Sequence, residues 1–200
     1  MKLIGVTDDR HTVNDLLMKL QQTEQYFDAF ILREKSKTDE QIKELINRLK
    51  TVHFPMEKLI LHARPDLASY LFLSNVQLTG YGLSLRDARA HFPSIHFGRS
   101  VHSLLEAKQA EVEGADWLLY GHVYETQSKE GLDPRGTEEL FTIAASCTVP
   151  VYAIGGIKPG HLPDLRSNGV AGAAILSPLS CENAVVAVNA YRNMIDNEME

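Results

Sequence analysis

The chain has 200 residues, a net charge of −6, and 44% hydrophobic and 23% charged residues. This is the balance of a globular protein that can bury one substantial core, and the length also suits a single α/β barrel. The acidic balance and the lack of a Lys/Arg run argue against nucleic acid, and no stretch approaches the roughly 20 apolar residues of a membrane span.

The amino terminus, MKLIGVTDDR, is broken by Asp8, Asp9 and Arg10 too early for a signal-peptide apolar region. Cytoplasmic is therefore the expected location. Cys147 and Cys181 fit no metal or redox spacing and read as free thiols.

In chain order one unit recurs: a short apolar run, a turn, then an amphipathic helix. Lys2 to Val6 is the first predicted strand, followed by a helix that Thr12 and Asp15 cap, with Leu16, Leu17 and Leu20 inward. Ala29 to Leu32 is the second. Its helix, TDEQIKELINRL, spaces Ile42, Leu45, Ile46 and Leu49 for one face. Leu59 to Leu61 is the third, and Pro65 opens a short helix.

The second half repeats the pattern. Val76 to Leu78 precedes a helix opened by Ser84 and Asp87, and Ile95 to Phe97 precedes one with Ser103 and Glu106 as a capping box. Trp117 to Tyr120 is the sixth strand, with a helix near 137–145 that turns Leu140, Phe141 and Ala144 inward. Val151 to Ile154 and Ala171 to Leu176 complete the set, and a last helix runs near 182–195. Eight such units with continuous apolar strands predict one (β/α)8 TIM barrel over residues 1–200, since an open flavodoxin-like sheet needs about five.

In a barrel the reactive residues follow the strands. Those positions hold Thr7 and Asp8; Arg33, Glu34 and Lys35; His62 and Arg64; Thr79; Arg99 and Ser100; His122; Gly155 and Gly156; and Ser177. Several cations point to an anionic small molecule. The stretch 115–129, ADWLLYGHVYETQSK, is the most suggestive: an apolar strand stops at Gly121 and is followed at once by His122, a candidate proton-transfer residue. An ordinary loop histidine is the bland alternative. Gly155 and Gly156 before the last strand, and Ser177 after it, fit a phosphate held by backbone N–H groups, while the same glycines also serve a tight turn. Arg33, Glu34 and Lys35 also read as a structural ion-pair cluster. The other histidines lack ligand spacing and read as surface or core residues, with His62 left open.

LREK at 32–35, GRSVHS at 98–103, GHVYET with SK at 121–129, AIGGI at 153–157 and the segment to Ser177 resemble, in order and over nearly the whole chain, the thiamin phosphate synthase superfamily, and within it the TenI-type thiazole tautomerases. Synthases of that superfamily carry an Asn-Asp pair after the third strand and an Asp after the fourth, which help to hold magnesium. Here stand His62 and Ala63, and then Thr79, Gly80, Tyr81 and Gly82. Neither set supplies the hard oxygen ligands magnesium demands. Ile31 replaces a pyrimidine-contacting Gln, and Gly121-His122 replaces the usual Gly-Pro.

The resemblance implies a tautomerase without metal or organic cofactor. His122 would act as base and then acid on a small phosphorylated thiazole carboxylate whose ring is not yet aromatic. It further implies phosphate contacts from Gly156, Leu176 and Ser177, loop contacts from Thr126, Gln127, Ser128 and Lys129, and a pocket lined by Arg33, Lys35 and Ser100, where we expect Arg33 to pair with the carboxylate. The first or last helices offer a surface for a homodimer. The alternatives are a magnesium-dependent thiamin phosphate synthase and a catalytically inactive regulatory barrel.

Overall fold

Strands that are apolar on both faces must be covered on both, which in a parallel sheet requires helices outside and packed side chains inside. A computed structural model of the chain describes residues 1–196. Among them, β1 (Lys2–Val6), β2 (Ala29–Leu32), β3 (Leu59–His62), β4 (Asn75–Leu78), β5 (His96–Val101), β6 (Trp117–Gly121), β7 (Val151–Ile154) and β8 (Gly172–Ile175) pair in parallel and in sequence order. β8 closes on β1, so the sheet is a closed (β/α)8 barrel.

The helices are α1 (Val13–Thr23), α2 (Asp39–Thr51), α3 (Pro65–Tyr70), α4 (Leu85–His91), α5 (Leu104–Val112), α6 (Glu138–Ser146), α7 (Leu162–Ser167), α8 (Ser177–Ser180) and α9 (Ala184–Asp196). Their apolar faces meet the outward strand residues in one large layer that includes Leu20, Leu45, Phe97, Leu118 and Val188. The barrel interior is a second, smaller cluster of Ile4, Val6, Ile31, Ile60, Leu119, Tyr152 and Ala174.

β1, β2 and β7 have the predicted bounds, and the capping at Thr12 and Ser84 is present, each hydroxyl accepting from a backbone N–H three residues on. β5 differs most: it starts one residue later than predicted and runs four further, taking in Gly98, Arg99 and Ser100. A period of two along it turns Gly98 and Ser100 to the axis and sends Arg99 outward with the buried Phe97 and Val101, between Leu78 and Leu118. Arg99 therefore does not join the mouth cations.

The Ser103 box is half formed. Ser103 Oγ accepts from Glu106 N at 3.2 Å, but the Glu106 carboxylate accepts from His102 N at 2.8 Å instead of returning to Ser103. In α6, Leu140 and Ile143 are the buried pair, while Phe141 and Ala144 are only partly covered, so that face is rotated from the predicted one.

The interior sets a tight limit on β5. A Cβ on Gly98 would overlap the Trp117 indole and lie 2.5 Å from Gln77 Oε1. Trp117 Nε1 donates to that Oε1 at 2.8 Å, and fully buried Gln77 passes the polarity on through Nε2 to Ser100 Oγ at 3.1 Å. Gly98→Ala should cost about 1–3 kcal/mol by overpacking. Urea unfolding checks this, and a variant as stable as the parent would contradict the packing account.

Candidate active site

Val6, Ile31, Ile60 and Leu119 face the barrel axis. Two residues on, at the carboxyl ends, the inward positions are Asp8, Arg33, His62 and Gly121, with His122 next in line. The mouth is thus built by alternation from an apolar interior.

One side of it is cationic. Arg33 is half-buried, and its N–H donates to the buried Thr7 Oγ1 at 2.9 Å, tying β2 to β1. Arg33, then burial, then Lys129 hold Lys35 below its ordinary pKa. Burial, followed by the charges of Arg33, Lys35 and Arg64, pushes His62 down to about 4, so its ring is neutral at ordinary pH. Arg33, Lys35, His62 and Lys129 accordingly share one electropositive side. Glu34 is an ion-pair residue, but its partner is Lys37: the two side chains are buried and 2.5 Å apart. Arg64 laces this turn by donating to Glu34 O and Lys37 O at 3.1 and 2.7 Å. Among the described residues, the ion-pair alternative therefore holds for Glu34 of the three.

The other side is built around His122. Val123 N donates to Ile154 O and Tyr124 N to Gly155 O, both at 3.0 Å, which lays the chain leaving β6 along the chain leaving β7. Gly155 and Gly156 have φ of 103° and 65°, a region that glycine enters freely. A Cβ on Gly155 would lie 2.7 Å from His122 Cα, and one on Gly156 would lie 2.8 Å from the Tyr124 carbonyl carbon. The glycines are therefore required by turn and packing, whatever they hold. The Tyr124 ring stacks on His161 beyond them, with centroids 3.9 Å apart.

His122 is half-buried, its peptide with Gly121 is cis, and its Nε2 lies 3.3 Å from Leu132 O. A carbonyl only accepts, so that bond needs Nε2–H and leaves the lone pair on Nδ1. Thr126 Oγ1 accepts from Ser128 N at 3.4 Å at the start of a short turn over Gln127–Lys129, in which Gln127, Ser128 and Lys129 are exposed. The excursion returns through Arg135 N to His122 O and Gly136 N to Val123 O, at 3.0 and 3.1 Å.

Ser100 lines the interior and accepts from Gln77. Leu176 packs on the inner cluster, and Ser177 begins α8. The buried Tyr191 of α9 donates to Ile157 O at 2.9 Å, holding the β7 turn from behind. Sequence reasoning missed Gln77, Tyr191 and His102. Gln77 had a signal, an amide at an inward position of an apolar strand. His102 Nδ1 lies 2.7 Å from Gly121 O, which no spacing in the chain announces.

The family model described as thiamine monophosphate synthase matches residues 3–179. The chain is 32% identical over 165 residues to the thiamine-phosphate synthase of Pyrococcus horikoshii, covering 82% of this chain and 77% of that protein. It is 34% identical over 134 residues to the Pyrococcus furiosus protein of the same name, covering 66% of this chain and 65% of that one. Among solved structures it resembles the thiamine phosphate pyrophosphorylase of Pyrococcus furiosus, with a TM-score of 0.82 at 27% identity, covering 100% and 97% of the two chains.

His62 gives a pH test. Its folded pKa lies below the ordinary 6.5, so between about pH 4 and 6.5 the unfolded chain binds more protons than the folded one. Stability should therefore rise with pH across that window and be lost as acid carries the protein down through it. In His62→Gln the slope should flatten, as read from urea midpoints at pH 4.5 and 7. An unchanged slope would remove His62 as its source.

Proposed function

The chain belongs to the thiamine monophosphate synthase family, and within that family we propose that it works as a thiazole tautomerase that uses His122 and no metal. The observation that carries this reading is a mouth with a positioned imidazole and several cations but without the carboxylates a magnesium-dependent relative needs. β3 ends at His62 and is followed by Ala63 and Arg64, and after β4 come Thr79 and Gly80. Magnesium requires oxygen ligands in octahedral array. Among the described residues no three His, Cys, Asp or Glu side chains converge on a point. Of the carboxylates after β1, Asp8 Oδ1 accepts from Arg10 N at 3.2 Å, and Asp9 accepts from Ser36 N and Oγ at 2.8 and 2.7 Å. This donor set does not fit the ion.

The substrate is a carboxylated thiazole bearing a phosphorylated ethylidene arm, its ring one proton shift from aromaticity. Nδ1 of His122 takes the proton from the ring carbon that carries the carboxylate. The electron pair of that C–H bond forms a new C=N bond in the ring, and the former C=N pair moves to form the ring C=C bond. The pair of the exocyclic double bond forms a C–H bond at the exocyclic carbon with the proton returned by the imidazolium. The reaction is an isomerisation, balanced without a co-reactant. Arg33 pairs with the carboxylate, and Lys35 adds positive charge where negative charge accumulates. Ser100 lines the same pocket. The phosphate lies against the backbone at Gly156, Leu176 and Ser177, after the last two strands. Thr126, Gln127, Ser128 and Lys129 reach it from the loop after β6.

The relatives' names favour a second reading, a thiamine-phosphate synthase. One pair of assays separates the two. The proposed reading expects aromatisation of the carboxylated thiazole phosphate in the presence of a chelator, and no joining of pyrimidine diphosphate to thiazole phosphate with magnesium. The opposite result would establish the synthase, and failure in both assays would leave a non-catalytic barrel.

In the first assay His122→Ala should lose about 10²–10⁴-fold in kcat, the usual contribution of a general acid/base group. Undiminished turnover would sink the assignment. Arg33→Met should raise KM about tenfold or more through loss of a charge-assisted pair, and an unchanged KM would rule out the carboxylate role.

A further inference from the structure

Two carbonyls bracket the Cα of His122, and each accepts a hydrogen bond from one connected group of residues. Gly121 O, on the amino side, lies 2.7 Å from His102 Nδ1. His122 O, on the carboxyl side, accepts from Arg135 N at 3.0 Å. The Arg135 guanidinium then donates through Nη1 to His102 O at 2.9 Å, and His102 N donates to Glu106 Oε2 at 2.8 Å. The clamp thus runs from the end of β5, across the end of β6, to the return of the 122–136 loop.

We propose that His102 is a positioning residue for His122, its ring N–H holding the Gly121 carbonyl so that the imidazole of His122 enters the mouth at a fixed angle. The inference rests on the proton-transfer role of His122 proposed above. A carbonyl offers only lone pairs, so the bond requires that Nδ1 of His102 carry the proton. His102 itself is exposed. Its influence on the reaction passes through the peptide it holds. Backbone position matters here because misplacement of a reacting group by about 1 Å can cost on the order of 10²-fold in rate.

The test has an arm that does not depend on catalysis. The ¹⁵N shifts of His102, recorded where its ring is neutral, should report the Nδ1–H tautomer, and an Nε2–H tautomer would overturn the inference whatever the protein catalyses. In the aromatisation assay His102→Ala should lower kcat about tenfold or more and leave KM unchanged, since substrate contacts are untouched. His102→Asn, whose side-chain amide can donate to the same carbonyl, should recover most of the rate. Equal defects in both variants, wild-type kcat in both, or a change confined to KM would each defeat the proposal. The exposed position makes a folded alanine variant the expectation. Should it fail to fold, His102→Gln, with its donor one methylene too far, takes its place against the asparagine variant. A wild type without aromatisation activity would overturn the tautomerase reading, and with it the catalytic consequence proposed for the clamp, while the tautomer measurement would show separately whether the bond exists.

Discussion

Where β6 and β7 leave the barrel, the two chains lie too close for side chains between them, and the candidate site depends on that seam. Gly121 faces Ile154, Gly155 faces the backbone of His122, and Gly156 faces Tyr124 and Glu125, each at a separation that a Cβ would violate. Removing the side chains lets the segment after β6 hydrogen-bond along the turn after β7 instead of splaying into solvent. His122 is the first residue carried on that segment. The glycines that look in sequence like a phosphate cradle thus serve first as packing elements, and any role toward an anion is added to a conformation already required.

Electrostatics organises the opposite side. The molecule as a whole is acidic, at −6, yet Arg33, Lys35, Arg64 and Lys129 concentrate positive charge at one sector of the mouth. Two features make this tolerable. His62 stays neutral among the cations, and the Glu34–Lys37 pair is internally compensated, with Arg64 bonded to its backbone. Breaking such a buried pair by removing one partner typically costs about 3–5 kcal/mol, whereas the intact pair contributes little net stability. Its value here is to shape the turn that presents Arg33 and Lys35.

Much of the fold was legible because the strands are short apolar runs punctuated by caps and glycines. Ala29 to Leu32 and Val151 to Ile154 could be bounded to the residue. β5 was not legible, since Arg99 and Ser100 read as loop residues. A strand end can carry polar residues when its backbone is paired on both sides, and only the neighbouring strands reveal that pairing. Arg33, Lys35 and His122 could be set at the strand ends from the sequence, because each follows closely on an apolar run. Gln77, Trp117 and His102 could not be connected, because residues 19 to 40 positions apart in sequence meet only after barrel closure.

The family relationship and the mouth chemistry bear on different questions. The family match runs over residues 3–179 and so over the barrel, and a shared fold does not by itself fix the reaction. Reaction type depends on what faces the reacting atoms. A diphosphate held through magnesium needs carboxylates to complete the ion's shell, whereas a substrate carboxylate needs only cations. Ala63 and Thr79 offer no carboxylate at the ends of β3 and β4, while Arg33 and Lys35 leave that side of the mouth cationic. On the proposed reading, a proton-transfer histidine at the β6 seam then suffices, because the rearranged ring is aromatic and the step requires only that one group reach two carbons in turn.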